Sequence, residues 1–188
     1  ILSFDIAYSN LVSGANGSVL GGYNSDATGS MSTVTGGDGN LASASYSAVT
    51  GGMANQATNT YAVVTGGRDN TASAVGSTVN GGRSNTASTN LYSTVTGGRD
   101  NIASGLLSHV SGGQGNVASG SYSGGVGGYL NRATANYSTA VGGESNLASG
   151  TNAVTLGGYG NTASGNASVA AAGYLSLASG AYAVTAGG

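Results

Sequence analysis

The chain contains no cysteine, no proline, no tryptophan and no lysine, and only 5% of its 188 residues are charged. Each absence removes a class of explanation. Without cysteine there is no disulfide framework and no thiolate nucleophile or metal ligand, although an oxidising location is permitted. Four arginines set against a formal net charge of −2 leave no basic patch to neutralise phosphates, so nucleic acid is not an expected partner. No apolar run approaches the roughly 18 residues of a membrane-spanning helix, so no membrane span is expected in this chain. No signal peptide opens it, and a chain starting at Ile1 is expected to be a processed or trimmed product. Low charge combined with 39% hydrophobic residues argues against a solvated, disordered tail.

What is abundant is glycine, 37 residues of it, and its placement is periodic. Gly-Gly doublets begin at Gly21, Gly36, Gly51, Gly66, Gly81, Gly97, Gly112, Gly127, Gly142, Gly157 and Gly187, and Ala172-Gly173 fills the one missing slot. Every step is 15 residues except Gly81 to Gly97, which is 16. With the doublet as positions 1 and 2, the eleven complete units read G-G-x-x-N-x-A-[ST]-x-x-x-[SA]-x-x-x. The near-identical stretches VTGGRDNTAS (Val64–Ser73) and VTGGRDNIAS (Val95–Ser104) are two units of this array. A fixed short period marks a repeat architecture.

Fifteen residues cannot hold a helix pair, and helices of this Gly, Ser and Thr content would be unstable. One coil of a parallel β-solenoid fits: two short strands and two tight turns. The fold expected is therefore all-β, a β-solenoid of about twelve 15-residue coils, forming a rod roughly 55 to 60 Å long at a 4.8 Å coil spacing. Residues 1–20 keep the period only loosely, with Ile6 and Ala7 in the doublet slots, and are expected to form a degenerate N-terminal capping coil. Residues 21–188 form a single repeat domain.

In such a stack each slot of the repeat becomes a ladder. Position 7 is Ala in all eleven units, which suggests an interior with room for little more than a methyl group. Position 5 is Asn in nine consecutive units: Asn40, Asn55, Asn70, Asn85, Asn101, Asn116, Asn131, Asn146 and Asn161. These are expected to form a structural ladder of amides bonded along the axis, at a turn where Asn tolerates left-handed backbone. The eleven tyrosines occupy only two slots, position 3 (Tyr8, Tyr23, Tyr129, Tyr159, Tyr174) and position 11 (Tyr46, Tyr61, Tyr92, Tyr122, Tyr137, Tyr182). Two lines of rings should run along the rod, to pack between chains or to contact a protein or glycan. Tyr46, Tyr61, Tyr92, Tyr122 and Tyr137 are the candidate surface contacts. Asp38, Arg68, Asp69, Arg83, Arg99, Asp100 and Glu144 also fall at turns, where charge keeps exposed strand edges from aggregating.

The strand before each doublet changes along the chain. In units one to six its apolar residue is at position 14, as in Val34, Val49, Val95 and Val110. From unit seven it moves to 13, 15 or both: Val126, Val141, Val154 with Leu156, Val169 and Val184. A one-residue shift along a strand moves a side chain to the other face. The rod is therefore expected to have two halves with different lateral surfaces.

The stretch TNAVTLGGYGNTASGNASVAAAG, Thr151–Gly173, resembles the head repeats of YadA-like trimeric autotransporter adhesins, whose unit centres on N-S-V-A-I-G and a small-residue turn. Similar repeats occur in phage-type trimeric fibre proteins. The resemblance covers about Gly21 to Gly188 and implies a left-handed β-roll in which three chains run side by side. It places Val154, Leu156, Val169, Ala171, Val184 and Ala186 at the subunit interface, and it implies binding of host matrix proteins through the repeat surface. Ala153 and Thr155 replace the motif's Ser and Ala, and units one to six carry Thr, Ser or Asn in most axial slots.

Physical argument also favours association, because a core of Ala, Ser and Thr supplies little burial energy and an outward Val and Leu stripe would stand in water. The C-terminal AVTAGG is a well-formed strand and doublet, which suggests that the natural chain continues or that subunits stack into a filament. Catalysis has little support: His109 is the only histidine and lies in a variable strand slot, and the carboxylates lack the spacing of an acid and base pair. No cofactor is called for. Outward threonines, as in Thr33–Thr35 and Thr94–Thr96, resemble the arrays of ice-binding solenoids, but Ala48, Val63, Asn80, His109 and Ser111 interrupt them. The expected function is a structural or adhesive rod of an extracellular cell-surface or virion fibre, not an enzyme. Its expected partners are copies of itself, as a homotrimer or filament, and a host matrix protein or glycan. A self-assembling filament subunit and an ice-binding solenoid are the alternatives.

Overall fold

A computed structural model describes residues 9–188. The described chain is all-strand, with 24 strands and no helix, and it winds as a β-solenoid of twelve coils. The first strand of each coil, from Leu11–Val12 to Leu177–Ala178, joins one 12-stranded parallel sheet. The second strand of each coil, from Ser18–Val19 to Val184–Ala186, joins the other. Eleven gaps at about 4.8 Å give a stack of about 53 Å. Residues 1–8, including Ile6, Ala7 and Tyr8 of the expected cap, lie outside the described residues; Leu11–Val12 and Ser18–Val19 pair in register with the coil that follows.

Most strands are two residues long because the chain turns so soon on either side. The register is the sequence period itself: Asp26 lies opposite Leu41, Ala27 opposite Ala42, and so on. A third line of contact runs through isolated parallel bridges at position 3, from Tyr23 to Tyr174. Strand amides donate to the following coil, as in Leu41 N to Asn55 O at 2.8 Å. Turn amides at positions 4 and 11 donate to the preceding one, as in Ala54 N to Asp38 O at 2.8 Å and Tyr61 N to Ser45 O at 3.1 Å. Reversing the peptide at these two points requires left-handed backbone, and each of the eleven complete units has it there, at Ala54 (φ 55°), Asp69 (57°), Tyr61 (59°) and Tyr122 (58°) among others. Left-handed conformation costs a non-glycine residue on the order of 1 kcal/mol, which the hydrogen bond to the neighbouring coil offsets.

The interior is wider than the invariant Ala of position 7 alone suggests. Position 7 lines one wall with Ala27, Ala42 and their successors, but the opposite wall carries Val34, Val49, Val64, Val79, Val95 and Val110, all fully buried. Serine at position 12 and asparagine at position 5 complete the lining. Small residues on one sheet therefore face large ones on the other, as interior packing density requires. From the seventh complete unit the position-14 wall becomes Gly125, Ala140, Thr155, Ala170 and Thr185. The buried apolar core divides there, one cluster ending at Ala118 and another beginning at Ala148.

The 16-residue coil leaves the sheets undisturbed. Thr78 still pairs with Thr94, and Thr86 with Ile102. The extra residue is taken up at the turn around Thr89 (φ 74°) and Asn90, whose Nδ2 donates to Ser104 O at 2.9 Å.

Candidate functional site

The asparagine ladder is internal, and its bonding differs from a simple stack of amides. The backbone N–H of Asn55 donates to Asn40 Oδ1 at 3.0 Å, while Asn55 Nδ2 donates to Gly51 O and to Gly67 O, each at 2.9 Å. The same three bonds recur to Asn161, including across the long coil, where Asn101 N reaches Asn85 Oδ1 at 3.0 Å. Each side chain thus satisfies one carbonyl of its own coil, one carbonyl of the next, and the next coil's position-5 amide. A direct bond between amides occurs once among the described residues, Asn146 Nδ2 to Asn131 Oδ1 at 3.1 Å. The ladder asparagines do not adopt left-handed backbone; positions 2, 4 and 11 do. Asn10 extends the ladder by donating to Gly22 O and accepting from Ser25 N, a role its loosely periodic surroundings concealed.

This bonding explains the doublet. At Gly52 (φ 86°) a Cβ would lie 2.1 Å from Gly67 O and 2.6 Å from Asn55 Nδ2, so the second glycine leaves room for the amide and the next coil's carbonyl. At Gly51 a Cβ would meet nothing within 4 Å. The first glycine is sterically open.

Position 12 was the lining that sequence reasoning passed over, although its Ser or Ala restriction was visible. Ser32, Ser47, Ser77, Ser138 and Ser168 each donate to the carbonyl three residues back, at 2.6 to 2.8 Å. Ser93, Ser108 and Ser123 have buried hydroxyls without a partner, in three consecutive coils.

The outer face of the second sheet has two halves, as the shift of its apolar residues suggests. In the first six units hydroxyl groups of Thr33, Thr35, Thr50, Thr65, Thr94 and Thr96 occupy outward slots, and His109 Nε2 lies 3.1 Å from Thr96 Oγ1. In the later coils apolar residues take these slots. Leu156 is 50% exposed and Val184 67%, while Val154, Val169 and Ala171 are half-buried and Ala186 is exposed. Val154, Val169 and Val184 are aligned in register, as are Ala171 and Ala186.

Two edges carry the remaining distinctive side chains. Tyr46, Tyr61, Tyr92, Tyr122 and Tyr137 are exposed along the position-11 edge. Tyr46 and Tyr61 stack with ring centroids 5.1 Å apart at 15°, and Tyr122 and Tyr137 at 5.1 Å and 4°. On the position-3 edge Tyr159 and Tyr174 stack at 5.2 Å and 10°. The same edge aligns Arg68, Arg83 and Arg99 in adjacent coils. Arg68 pairs with Asp69 at 3.2 Å and Arg99 with Asp100 at 3.4 Å, whereas Ser84 follows Arg83. These pairs are about half exposed and contribute little to stability.

Among the described residues no group of three or more His, Cys, Asp or Glu could hold a metal ion, and no helix is long and apolar enough to cross a membrane. No protein-family model matches the chain, and no curated protein matches it in sequence.

Proposed function

We propose that the chain is a structural or adhesive rod of an extracellular cell-surface or virion fibre, assembled from copies of itself and contacting partners through its turn edges. The observation that carries this reading is the transfer of apolar side chains from the inside of the solenoid to the outside. In units seven to eleven the interior wall shrinks to Gly, Ala and Thr while Val126, Val141, Leu156 and Val184 stand outside. Such a half is poorly stabilised alone and presents an apolar stripe to water. Association through Val154, Leu156, Val169, Ala171, Val184 and Ala186, as a homotrimer, buries that stripe. The hydroxyl-rich first half stays solvated, with Tyr46, Tyr61 and Tyr92 on an edge open to a matrix protein or glycan.

Light scattering with negative-stain imaging tests this. Three chains in a short rod, reduced to one chain by Leu156→Ser with Val184→Ser, is the expected result. A parent chain that stays monomeric at all concentrations overturns the reading, and long filaments favour a self-assembling fibre. A second reading, ice binding, has one observation in its favour, the outward Thr94 and Thr96 opposite Thr78 and Asn80 in the adjacent coil. Thermal hysteresis from the parent chain, lost on Thr94→Leu, would support it.

A further inference from the structure

Among the described residues, three pairs of tyrosines stand in adjacent coils with nearly parallel rings: Tyr46 with Tyr61, Tyr122 with Tyr137, and Tyr159 with Tyr174. Identical backbone conformation in successive coils produces the first two pairs. Tyr46, Tyr61, Tyr122 and Tyr137 have φ of 58° or 59°, so their Cα–Cβ bonds point the same way and lay ring over ring. All six rings are exposed, and their phenols are open to a reagent in solution. The chain has no cysteine and no tryptophan, so tyrosine is the side chain through which an oxidant can join one coil covalently to the next.

We propose that these pairs are sites of oxidative cross-linking, forming intrachain dityrosine when the protein meets a peroxidase-type one-electron oxidant supplied with hydrogen peroxide. Each phenol gives up one electron and one proton, leaving a phenoxyl radical. The two radicals, held in one stack, rotate about their exposed side-chain torsions and join through a new Cε–Cε bond. The hydrogen on each joined carbon then moves to the oxygen of its own ring, restoring two phenols. The protein loses two hydrogen atoms in all, and these reduce one hydrogen peroxide to two waters. Each link closes a 15-residue loop and adds a covalent tie to the hydrogen bonds that already connect the two coils. Constraining the unfolded chain in this way stabilises the folded one.

Tyr92, Tyr129 and Tyr182 serve as internal controls. They are exposed to a similar or greater degree, but the residues at their slot in the adjacent coils are not tyrosines: Gly76 and Leu107 beside Tyr92, Gln114 and Glu144 beside Tyr129, Ala167 beside Tyr182. The test treats dilute protein with a peroxidase and hydrogen peroxide, follows dityrosine fluorescence, and maps linked peptides by mass spectrometry. The expected result, among the described tyrosines, is three intrachain links, each two hydrogens lighter than its parent peptides and joining the residues of one stacked pair, with a higher unfolding midpoint. Tyr61→Phe, Tyr137→Phe and Tyr174→Phe keep a ring in the stack but remove a phenol. Each should lose its own link, retain the other two, and unfold at the parent's midpoint before oxidation. Links spread evenly onto Tyr92, Tyr129 and Tyr182, links formed only between chains, or an equal yield from the chain held unfolded in denaturant would each overturn the assignment.

Discussion

Gly125 offers the sharpest test of how the interior is built. It occupies the inward position that Val110 fills one coil earlier and Ala140 one coil later, and the apolar core divides around it. A Cβ at Gly125 would lie 3.6 and 3.8 Å from the Val110 methyl carbons and 4.0 Å from Asn116 Cβ, ordinary contact distances. Gly125 also lies in a strand, so alanine adopts its conformation without strain. Gly125→Ala buries one methyl group, worth about 0.8 kcal/mol, and removes glycine's excess freedom from the unfolded chain, worth a further 0.4 to 1 kcal/mol or so. The sum is a stabilisation of about 1 to 2 kcal/mol. Its neighbour Gly124 points outward, where a Cβ would find only Thr139 side-chain atoms at 3.8 Å. Gly124→Ala therefore gains only the entropic part, about 0.4 to 1 kcal/mol. Repeat arrays need not unfold in one step, so denaturant titration should be paired with amide exchange of the flanking coils, at one fixed protein concentration. If Gly125→Ala stabilises no more than Gly124→Ala, or destabilises, the interior around Gly125 has no unfilled space and the account of the divided core is wrong.

Adjacent glycines should respond in opposite ways elsewhere too. Gly98→Ala sets a Cβ 2.2 Å from Gly113 O and should cost well over the roughly 1 kcal/mol of a left-handed alanine, whereas Gly97→Ala meets nothing within 4 Å and should leave the unfolding midpoint close to the parent's. Asn85→Ala leaves Gly81 O and the Asn101 N–H without their partner and removes one of the two donors to Gly98 O, which keeps the Arg83 N–H. At roughly 1 to 3 kcal/mol for each of the two groups left unpaired, denaturant unfolding should show a loss of about 2 kcal/mol or more, with exchange accelerated first in the coils on either side. Val79→Ala empties a fully buried site and should cost about 2 kcal/mol by the same titration. Val126→Ala, on the half-exposed outer face, should cost less than half of that in a dissociated chain.

The fold was legible because its signal repeats eleven times. A 15-residue period, an invariant Ala and a doublet admit few architectures, and the Val that leaves position 14 after Val110 foretold the two outer faces. Bonding between coils was less accessible. The partners of an asparagine such as Asn70 are the backbone carbonyls of Gly66 and Gly82, and a carbonyl carries no mark in the sequence. The left-handed residues were hidden for a related reason. Tyr61 and Leu130 hold that conformation because their N–H groups reach back one coil to Ser45 and Gln114, and nothing in tyrosine or leucine itself favours it. The tyrosine slots predicted rows of rings, but whether a row stacks depends on whether consecutive coils both supply a ring. The coils of Tyr46 and Tyr61 do; Gly76 and Leu107 leave Tyr92 between them without one.

The 16-residue coil shows where this molecule can change length. Around Gly81–Asn85 the chain is tied to both neighbouring coils, through Arg83 N to Gly98 O, Ser84 N to Arg68 O and Asn85 N to Asn70 Oδ1, so an added residue there would break several bonds at once. At Thr89–Leu91 an added residue has been absorbed with the strands before and after still in step. One edge of the rod is therefore a fixed spine and the opposite edge a permissive one. Loops of new sequence, an epitope or a binding segment can be carried on the permissive edge of any coil while the spacing and alignment of the rest of the stack stay as they are.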